Sequence, residues 1–151
     1  MRIYLDACCL SRPFDDQTID RNRLEAEAIL AILDHVYRKE LTLLASDALE
    51  LELDAIPSPD KREFAKALLS LASEAISIGA AQVSRAAEIE KMGFRTIDAL
   101  HLACAEAGRC RVFLTTDDGI LKLANRRRGR LKVSVSNPLD WMKEQVDHEK
   151  K

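Results

Sequence analysis

Acidic residues that could carry out chemistry follow two of the apolar segments in this chain. Asp6 comes directly after the apolar residues 3–5, and Asp117 and Asp118 come shortly after residues 112–115. Because ligands of an open parallel sheet bind outside the carboxyl ends of its strands, we expect Asp6 and Asp117 to lie near each other there. Each acid taken singly also fits ordinary turn and cap chemistry, in which Asp is a favoured residue after a strand.

A third acid lies on the helix predicted to begin near Ser46, whose hydroxyl can cap the first turn. This helix has an apolar stripe at i, i+4 and i+7 that should face the core: Leu49, Leu53 and Ile56. At about 100° per residue, Glu52 lies beside this stripe, and Glu50 is rotated away from Glu52 by about 160°. Helical phase therefore favours Glu52 weakly as the inward acid, and a Glu52 that simply reaches solvent is the alternative.

A fourth acid, Asp98, lies in the segment TIDALHLACAEAG, where residues 97–107 are apolar except Asp98, His101 and Glu106. A helix that is apolar all round should be buried. Asp98 occupies its first turn, where the helix dipole favours an anion, so plain helix capping also explains it. His101 could bond Asp98, but we interpret it as a buried structural histidine rather than a ligand.

Together, Asp6, Glu52, Asp98 and Asp117 come from four predicted elements. Clustered carboxylates repel one another unless a divalent cation offsets their charge. A set of oxygen ligands of this kind suits Mg²⁺ or Mn²⁺. A metal held in this way can activate a water and neutralise phosphoryl oxygens, so the chemistry that these residues predict is metal-assisted phosphodiester hydrolysis.

Length and composition indicate one domain over residues 1–147, followed by a polar tail, residues 148–151. Hydrophobic residues make up 47% and aromatic residues only 5%, which is typical of an aliphatic core between helices and a parallel sheet. The net charge of -2 excludes a globally basic nucleic-acid binder. Because no segment resembles a signal peptide or a membrane span, we expect a cytoplasmic protein with no membrane partner. Its four cysteines lack zinc-type spacing, so we expect free thiols.

Strands and helices alternate along the predicted chain. Strands are predicted at residues 3–5, 41–45, 112–115 and 131–135. Helices are predicted after Ser46 and at residues 21–38, 61–76, 82–92, 97–107, 117–125 and 138–146, with Thr96 as an N-cap and a loop at residues 8–17. This order predicts a three-layer α/β/α domain with a mainly parallel central sheet.

The segments IYLDACCL, ASDALELELDAI, TIDALHLACA and FLTTDDGIL, with VSNPLDW near the end, resemble the motifs of PIN-domain ribonucleases in order and spacing. The resemblance spans nearly the whole chain. It implies an Mg²⁺- or Mn²⁺-dependent endoribonuclease that cleaves single-stranded RNA and uses Asp6, Glu52, Asp98 and Asp117 as metal-binding, catalytic acids. It also implies a VapC-like toxin with an antitoxin protein as partner, and PIN relatives are often homodimers. For Asp118, next to Asp117, the resemblance implies a supporting or structural role and no direct metal contact.

The chain departs from the family after the first acid, where many relatives have Thr or Ser followed by Asn or Ser. Here the residues are Ala7, Cys8 and Cys9, so a hydroxyl that could orient a metal-bound water is missing. The run from Cys8 to Asp16 resembles a PIN subgroup that is less firmly associated with toxins.

Basic residues could contact RNA only locally. A cluster lies between the Asp117 helix and the last predicted strand: Arg126, Arg127, Arg128, Arg130 and Lys132. These residues and Arg12 could bind phosphates beside the acid site. The alternative is a solvated charge run with no ligand.

Two other classes of protein remain open at this point. A PIN-like domain that binds RNA or protein without cutting is one, because fold does not guarantee activity. A phosphoaspartate receiver or phosphatase is the other, although Asp6-Ala7-Cys8 lacks the second Asp that a dehalogenase-like phosphatase needs. Stabilisation by a divalent metal separates a nuclease site from a plain binding scaffold.

Overall fold

One five-stranded sheet forms the centre of the molecule in a computed structural model that describes residues 1–149. Its strands are β1 Arg2–Leu5, β2 Thr42–Ser46, β3 Glu74–Ile76, β4 Val112–Leu114 and β5 Ser134–Ser136. Their order is β3-β2-β1-β4-β5, and each neighbouring pair is parallel. Tyr4 on the central strand lies opposite Leu44 and Phe113. The predicted mainly parallel sheet is confirmed.

Helices cover both faces of this sheet. Successive side chains of a strand point to opposite faces, and Ile3, Tyr4 and Leu5 are all fully buried. Within residues 1–149 the helices are α1 Ala7–Ser11, α2 Asp20–Tyr37, α3 Asp47–Asp54, α4 Pro59–Leu69, α5 Ala80–Glu90, α6 Thr96–Ala107, α7 Asp118–Arg126 and α8 Pro138–Glu149. The three-layer α/β/α architecture follows from this burial on both faces.

The predicted loop at residues 8–17 is wrong over residues 8–14. Residues Ala7–Ser11 form α1, and a 3-10 turn follows at Arg12–Phe14. The carboxylate of Asp6 caps α1, and Cys9 and Leu10 are buried beneath it. Pro13 lies in the first turn of the 3-10 segment, where it needs no backbone donor, so it does not prevent helix formation.

The helix predicted at residues 61–76 is too long. It ends at Leu69, and Glu74–Ile76 is an edge strand, in which Ala75 pairs with Ala45. Three residues are too few for periodicity to separate a strand from a helix end, so the pairing with β2 decides.

Smaller differences affect the ends and faces of other helices. Thr96 is the first helical residue of α6 and not its N-cap, because Arg95 occupies the cap and the Thr96 hydroxyl donates to Glu90. On α2, the large side chains of Leu30 and Tyr37 are exposed and do not join the core. Helix α8 continues to Glu149, so the predicted tail begins as helix, and residues 150–151 lie outside the described part of the chain.

The core is aliphatic around one aromatic pair. The rings of Tyr4 and Phe113 are stacked with centroids 5.2 Å apart.

All four cysteines are free thiols, as predicted, and Cys9, Cys104 and Cys110 are buried. Of the helices between residues 1 and 149, none combines the length and apolar character that crossing a bilayer requires.

Gly108 at the end of α6 offers a test of this packing. A Cβ atom there would overlap Cδ2 of Leu44, which is fully buried in the core, so the side chain of Leu44 would have to shift. We expect Gly108→Ala to lower the free energy of unfolding by about 1–3 kcal/mol in urea titrations. The control Gly129→Ala, where nothing lies within 4 Å of the added atom, should stay within about 0.5 kcal/mol of the parent. Equal effects at the two glycines would contradict the packing described.

Candidate metal centre

Asp6 directly follows β1 and caps α1, and both contacts with these elements hold its carboxylate at the carboxyl edge of the sheet. Its Oδ1 accepts from the backbone N–H of Ala7 at 2.9 Å, and its Oδ2 accepts from the Thr115 hydroxyl at 2.8 Å. Only 4% of Asp6 is exposed. Burial raises the pKa of Asp6, and Glu52 and Asp98 add to this effect, while His101 and the Thr115 hydroxyl oppose it. Asp6 is therefore a buried acid whose charged form needs a cation.

Helix α3 turns Glu52 toward the same edge. The Ser46 hydroxyl accepts from the N–H of Leu49 at 3.1 Å and so fixes where the helix begins. Leu49 and Leu53 are fully buried, which sets the phase of the helix. Glu52 is half-buried, and its Oε1 lies 2.5 Å from Nε2 of His101, whereas Glu50 is exposed.

His101 connects this acid to the core. The ring is fully buried, and its Nδ1 lies 2.7 Å from the Tyr4 hydroxyl, which lies 2.6 Å from the Ser46 hydroxyl. Its Nε2 also lies 3.9 Å from Oδ1 of Asp6. Both ring nitrogens therefore have partners. These partners are Glu52 and Tyr4, and not Asp98, which the sequence had suggested.

Asp98 and Asp117 are joined by an arginine that sequence reasoning did not single out. Arg95 Nε lies 2.9 Å from Oδ2 of Asp98, and one of its terminal nitrogens lies 3.6 Å from Oδ2 of Asp117. Asp98 is buried, and its hydrogen bond is the main reason that the pKa of Arg95 is raised. Asp117 caps α7 through the N–H of Ile120 at 3.0 Å.

Asp118 pairs with Arg21 on α2. Both of its carboxylate oxygens accept from the guanidinium of Arg21, at 2.8 and 2.9 Å, and this contact lowers the pKa of Asp118. Arg21 also donates to the carbonyl of Thr116. Asp118 therefore ties α2 to the start of α7.

The donor atoms at this edge fit a divalent cation. One ligand atom from each of Asp6, Glu52 and His101 lies within 4.8 Å of the others, and the three residues come from three different elements. Carboxylate oxygens suit Mg²⁺ and Mn²⁺, whereas the Nε2 of His101 already pairs with Glu52 and so positions that acid. Asp98 contributes to the field at Asp6 but lies outside this tight group.

Thr115 provides a hydroxyl that the sequence lacks directly after the first acid. Besides bonding Asp6, Thr115 accepts from the N–H of Asp117 at 3.1 Å. Cys8 lies beside this pair, with its sulfur 3.5 Å from Oδ2 of Asp6 and 3.4 Å from the Thr115 hydroxyl. The Thr-Thr pair before Asp117 was the only signal for this role in the sequence.

A groove of about 640 Å³ opens beside Glu52. Its walls come from α1 and from the turn between α3 and α4, and they include Cys8, Ser11, Ile56 and Lys61. This groove has apolar and polar walls next to the acids, so it can receive a flexible polar chain.

The basic residues that the sequence suggested as phosphate contacts have partners within the protein. Arg12 is held by Asp15 at 3.1 Å, by Asn22 at 2.9 Å and by a 3.1 Å ion pair with the buried Glu25. The other cluster follows α7, and Arg126 is nine residues beyond Asp117, about 14 Å along a helix.

The individual residues of that cluster have local partners. Arg127 donates to the carbonyl of Met92, and Arg128 bonds Asn125. Arg128 also lines a cleft of about 530 Å³ between β5 and α8, with Arg111 and Lys132. Helix α7 carries the chain away from Asp117, and the role of these arginines as phosphate contacts stays a prediction.

Comparison with known proteins agrees with this fold. The sequence matches the PIN domain family over residues 3–126. The chain therefore belongs to the PIN domain family. Comparison with curated protein sequences gave no match.

Two solved structures share the fold at low identity. The structure of FitAcB from Neisseria gonorrhoeae is 20% identical and has a TM-score of 0.58, with 90% of this chain and 97% of that chain covered. The structure of VapBC2 from Rickettsia felis, bound to a DNA fragment from their promoter, is 16% identical and has a TM-score of 0.58. The match covers 91% of this chain and 98% of that chain.

Replacing Asp6 with Asn tests whether its charge destabilises the metal-free fold. Because burial raises the pKa of Asp6, the folded state keeps a proton there at a pH where the unfolded chain has lost it. Its contribution to stability therefore falls as the pH rises through this interval. Asp6→Asn should raise the Tm in EDTA by a few degrees at pH 7, and the gain should shrink on acidification toward about pH 4. A gain that is equal at both pH values would contradict the raised pKa.

Proposed function

We propose that this protein is a divalent-metal-dependent endoribonuclease that hydrolyses phosphodiester bonds of single-stranded RNA. The observation that carries the proposal is the convergence of Asp6, Glu52 and His101 within 4.8 Å at the edge of a PIN-domain sheet. A buried carboxylate with a raised pKa is costly unless a cation is present. A plain binding scaffold would have no use for this arrangement.

In this proposal each acid has a distinct part. Asp6 and Glu52 hold the Mg²⁺ or Mn²⁺ directly, and Asp98 and Asp117 complete the negative field on its other side. When bound there, such an ion would supply a water of lowered pKa and positive charge beside the phosphoryl oxygens. Thr115 keeps Asp6 oriented, and His101 keeps Glu52 turned toward the cluster.

The groove beside Glu52 is the proposed path of the RNA strand. Lys61 lies in the wall of the groove, and its Nζ is 3.1 Å from Oδ1 of Asp15. From this position its ammonium group could donate a hydrogen bond to a phosphate in the groove. Arg126 and Arg128 are proposed as outer phosphate contacts for a strand that continues along α7. Arg12 would have to leave Glu25 to take part, so it is the weakest of the proposed contacts.

We also propose that the chain is the toxin of a toxin–antitoxin pair and works in the cytoplasm. Support comes from the family and from the shared fold with FitAcB and VapBC2. The partner would be an antitoxin protein, and self-association into a homodimer is part of the same proposal. A short antitoxin-like reading frame next to the gene would support the pairing.

Glu52→Gln, compared with Glu50→Gln, tests the nuclease proposal. Loss of one carboxylate from the metal cluster should reduce Mn²⁺-dependent cleavage of RNA by about 100-fold or more. The same variant should lose the rise in Tm that Mn²⁺ gives the parent. Glu50 is exposed outside the cluster, so its variant should retain both properties.

The measurements are RNA cleavage on denaturing gels and thermal unfolding with and without Mn²⁺. Cleavage that persists in excess EDTA would refute the metal dependence. No cleavage of any RNA, together with no rise in Tm on addition of Mn²⁺, would instead favour the non-catalytic binding domain.

The outer phosphate contacts can be tested by the salt dependence of RNA binding. Arg126→Gln with Arg128→Gln removes two exposed charges and leaves Arg127, which is anchored on Met92, in place. The slope of log K against log salt should fall by about 0.7 for each single-strand phosphate that the variant no longer neutralises. Fluorescence anisotropy with a labelled oligouridylate in EDTA measures this slope. An unchanged slope would mean that these arginines only face solvent.

A further inference from the structure

We propose that Arg95 is a resident cation of the acid site, which the divalent metal must displace and which then binds the RNA phosphate. The inference rests on the proposed function and adds a residue to it. Arg95 lies at the N-cap of α6, three residues before Asp98, and its guanidinium joins Asp98 to Asp117.

The contacts of Arg95 place a positive charge where the acids need one. Nε lies 2.9 Å from Oδ2 of Asp98, a buried carboxylate that otherwise adds to the negative field at Asp6. The second contact reaches Asp117 at 3.6 Å. In the metal-free protein Arg95 therefore offsets part of the repulsion among the acids.

A divalent ion at Asp6 and Glu52 and the guanidinium at Asp98 are attracted by the same group of acids. Oδ2 of Asp98 already accepts the N–H of Arg95, and two cations held at neighbouring carboxylates repel each other. Metal binding at Asp6 and Glu52 should therefore weaken the Arg95 contact. Metal binding and the Arg95 contact therefore compete.

Arg95 is free to move when it is displaced. Its side chain is 72% exposed, and among residues 1–149 its guanidinium contacts only Asp98 and Asp117. Arg85 differs, because it is largely buried and bonds Glu106, Glu88 and the carbonyl of Arg130 together.

A displaced Arg95 would stay next to the substrate. The N-cap backbone is extended and fixed by α6, so only the side chain turns. Guanidinium groups bind phosphate oxygens with the same planar geometry that they use for carboxylates. One side chain can therefore exchange Asp98 for the phosphate of a strand that approaches the metal.

The two halves of the proposal predict effects of opposite sign for Arg95→Gln. Removal of the competing cation should tighten Mn²⁺ binding, measured by isothermal titration calorimetry, by about tenfold. Removal of the guanidinium that binds phosphate should weaken binding of a labelled oligouridylate by about tenfold. This assay uses Ca²⁺ in place of Mn²⁺, because Ca²⁺ also binds oxygen ligands and limits cleavage of the RNA.

The matched control is Arg38→Gln. Arg38 is also exposed and also joins two carboxylates, those of Asp34 at 3.0 Å and Glu40 at 3.2 Å, at the far end of α2. Its variant should change neither affinity. A variant that merely perturbs the fold would lose both affinities, whereas Arg95→Gln should raise one and lower the other.

Each result decides the proposal. Unchanged or weaker Mn²⁺ binding by Arg95→Gln would overturn the competition, and unchanged RNA binding would overturn the phosphate contact. If the parent binds Mn²⁺ and Glu52→Gln does not, the metal centre stands even when Arg95→Gln behaves like the parent. If no variant binds Mn²⁺, the proposed function fails and this inference fails with it.

Discussion

The burial of one carboxylate, that of Asp6, governs the layout of the whole site. A charged group with 4% exposure is costly in a protein interior unless hydrogen bonds and an opposite charge surround it. Three elements supply what it needs: the first N–H of α1, the Thr115 hydroxyl after β4, and the imidazole of His101 on α6. These elements can meet only because β1 lies between β2 and β4 in the sheet.

A chain of hydrogen bonds extends this site into the core. Ser46, Tyr4, His101 and Glu52 follow one another with separations of 2.6, 2.7 and 2.5 Å. Burial raises the pKa of Tyr4 well above its ordinary value, so its hydroxyl keeps its proton and can donate within this chain. Polar networks in a low-dielectric interior are strong when every member has a partner, and here the network fixes a half-exposed glutamate from behind.

The parts of the site that depend on residues close together in the chain could be predicted from the sequence. The strand before Asp6, the cap at Ser46 and the phase of Glu52 all follow from periodicity and side-chain chemistry within a few residues. The partner of His101 could not be predicted in this way, because Glu52 is 49 residues distant and Asp98 is only three. Strand β3 is three residues long and exists through its pairing with β2, and the position of Arg126 depends on the path of α7. Arg95 and Thr115 gain their roles only from contacts between elements.

Ser46 carries three of these connections at once, because it is the last residue of β2, the cap of α3 and the partner of the Tyr4 hydroxyl. One inserted or deleted residue between Ser46 and Glu52 would rotate the glutamate by about 100° around the helix, away from His101. The loops after α2 and α4 lie outside this interval and carry no such restriction. Related sequences should therefore keep the spacing of six residues between Ser46 and Glu52. Insertions and deletions should be found in the loops after α2 and α4.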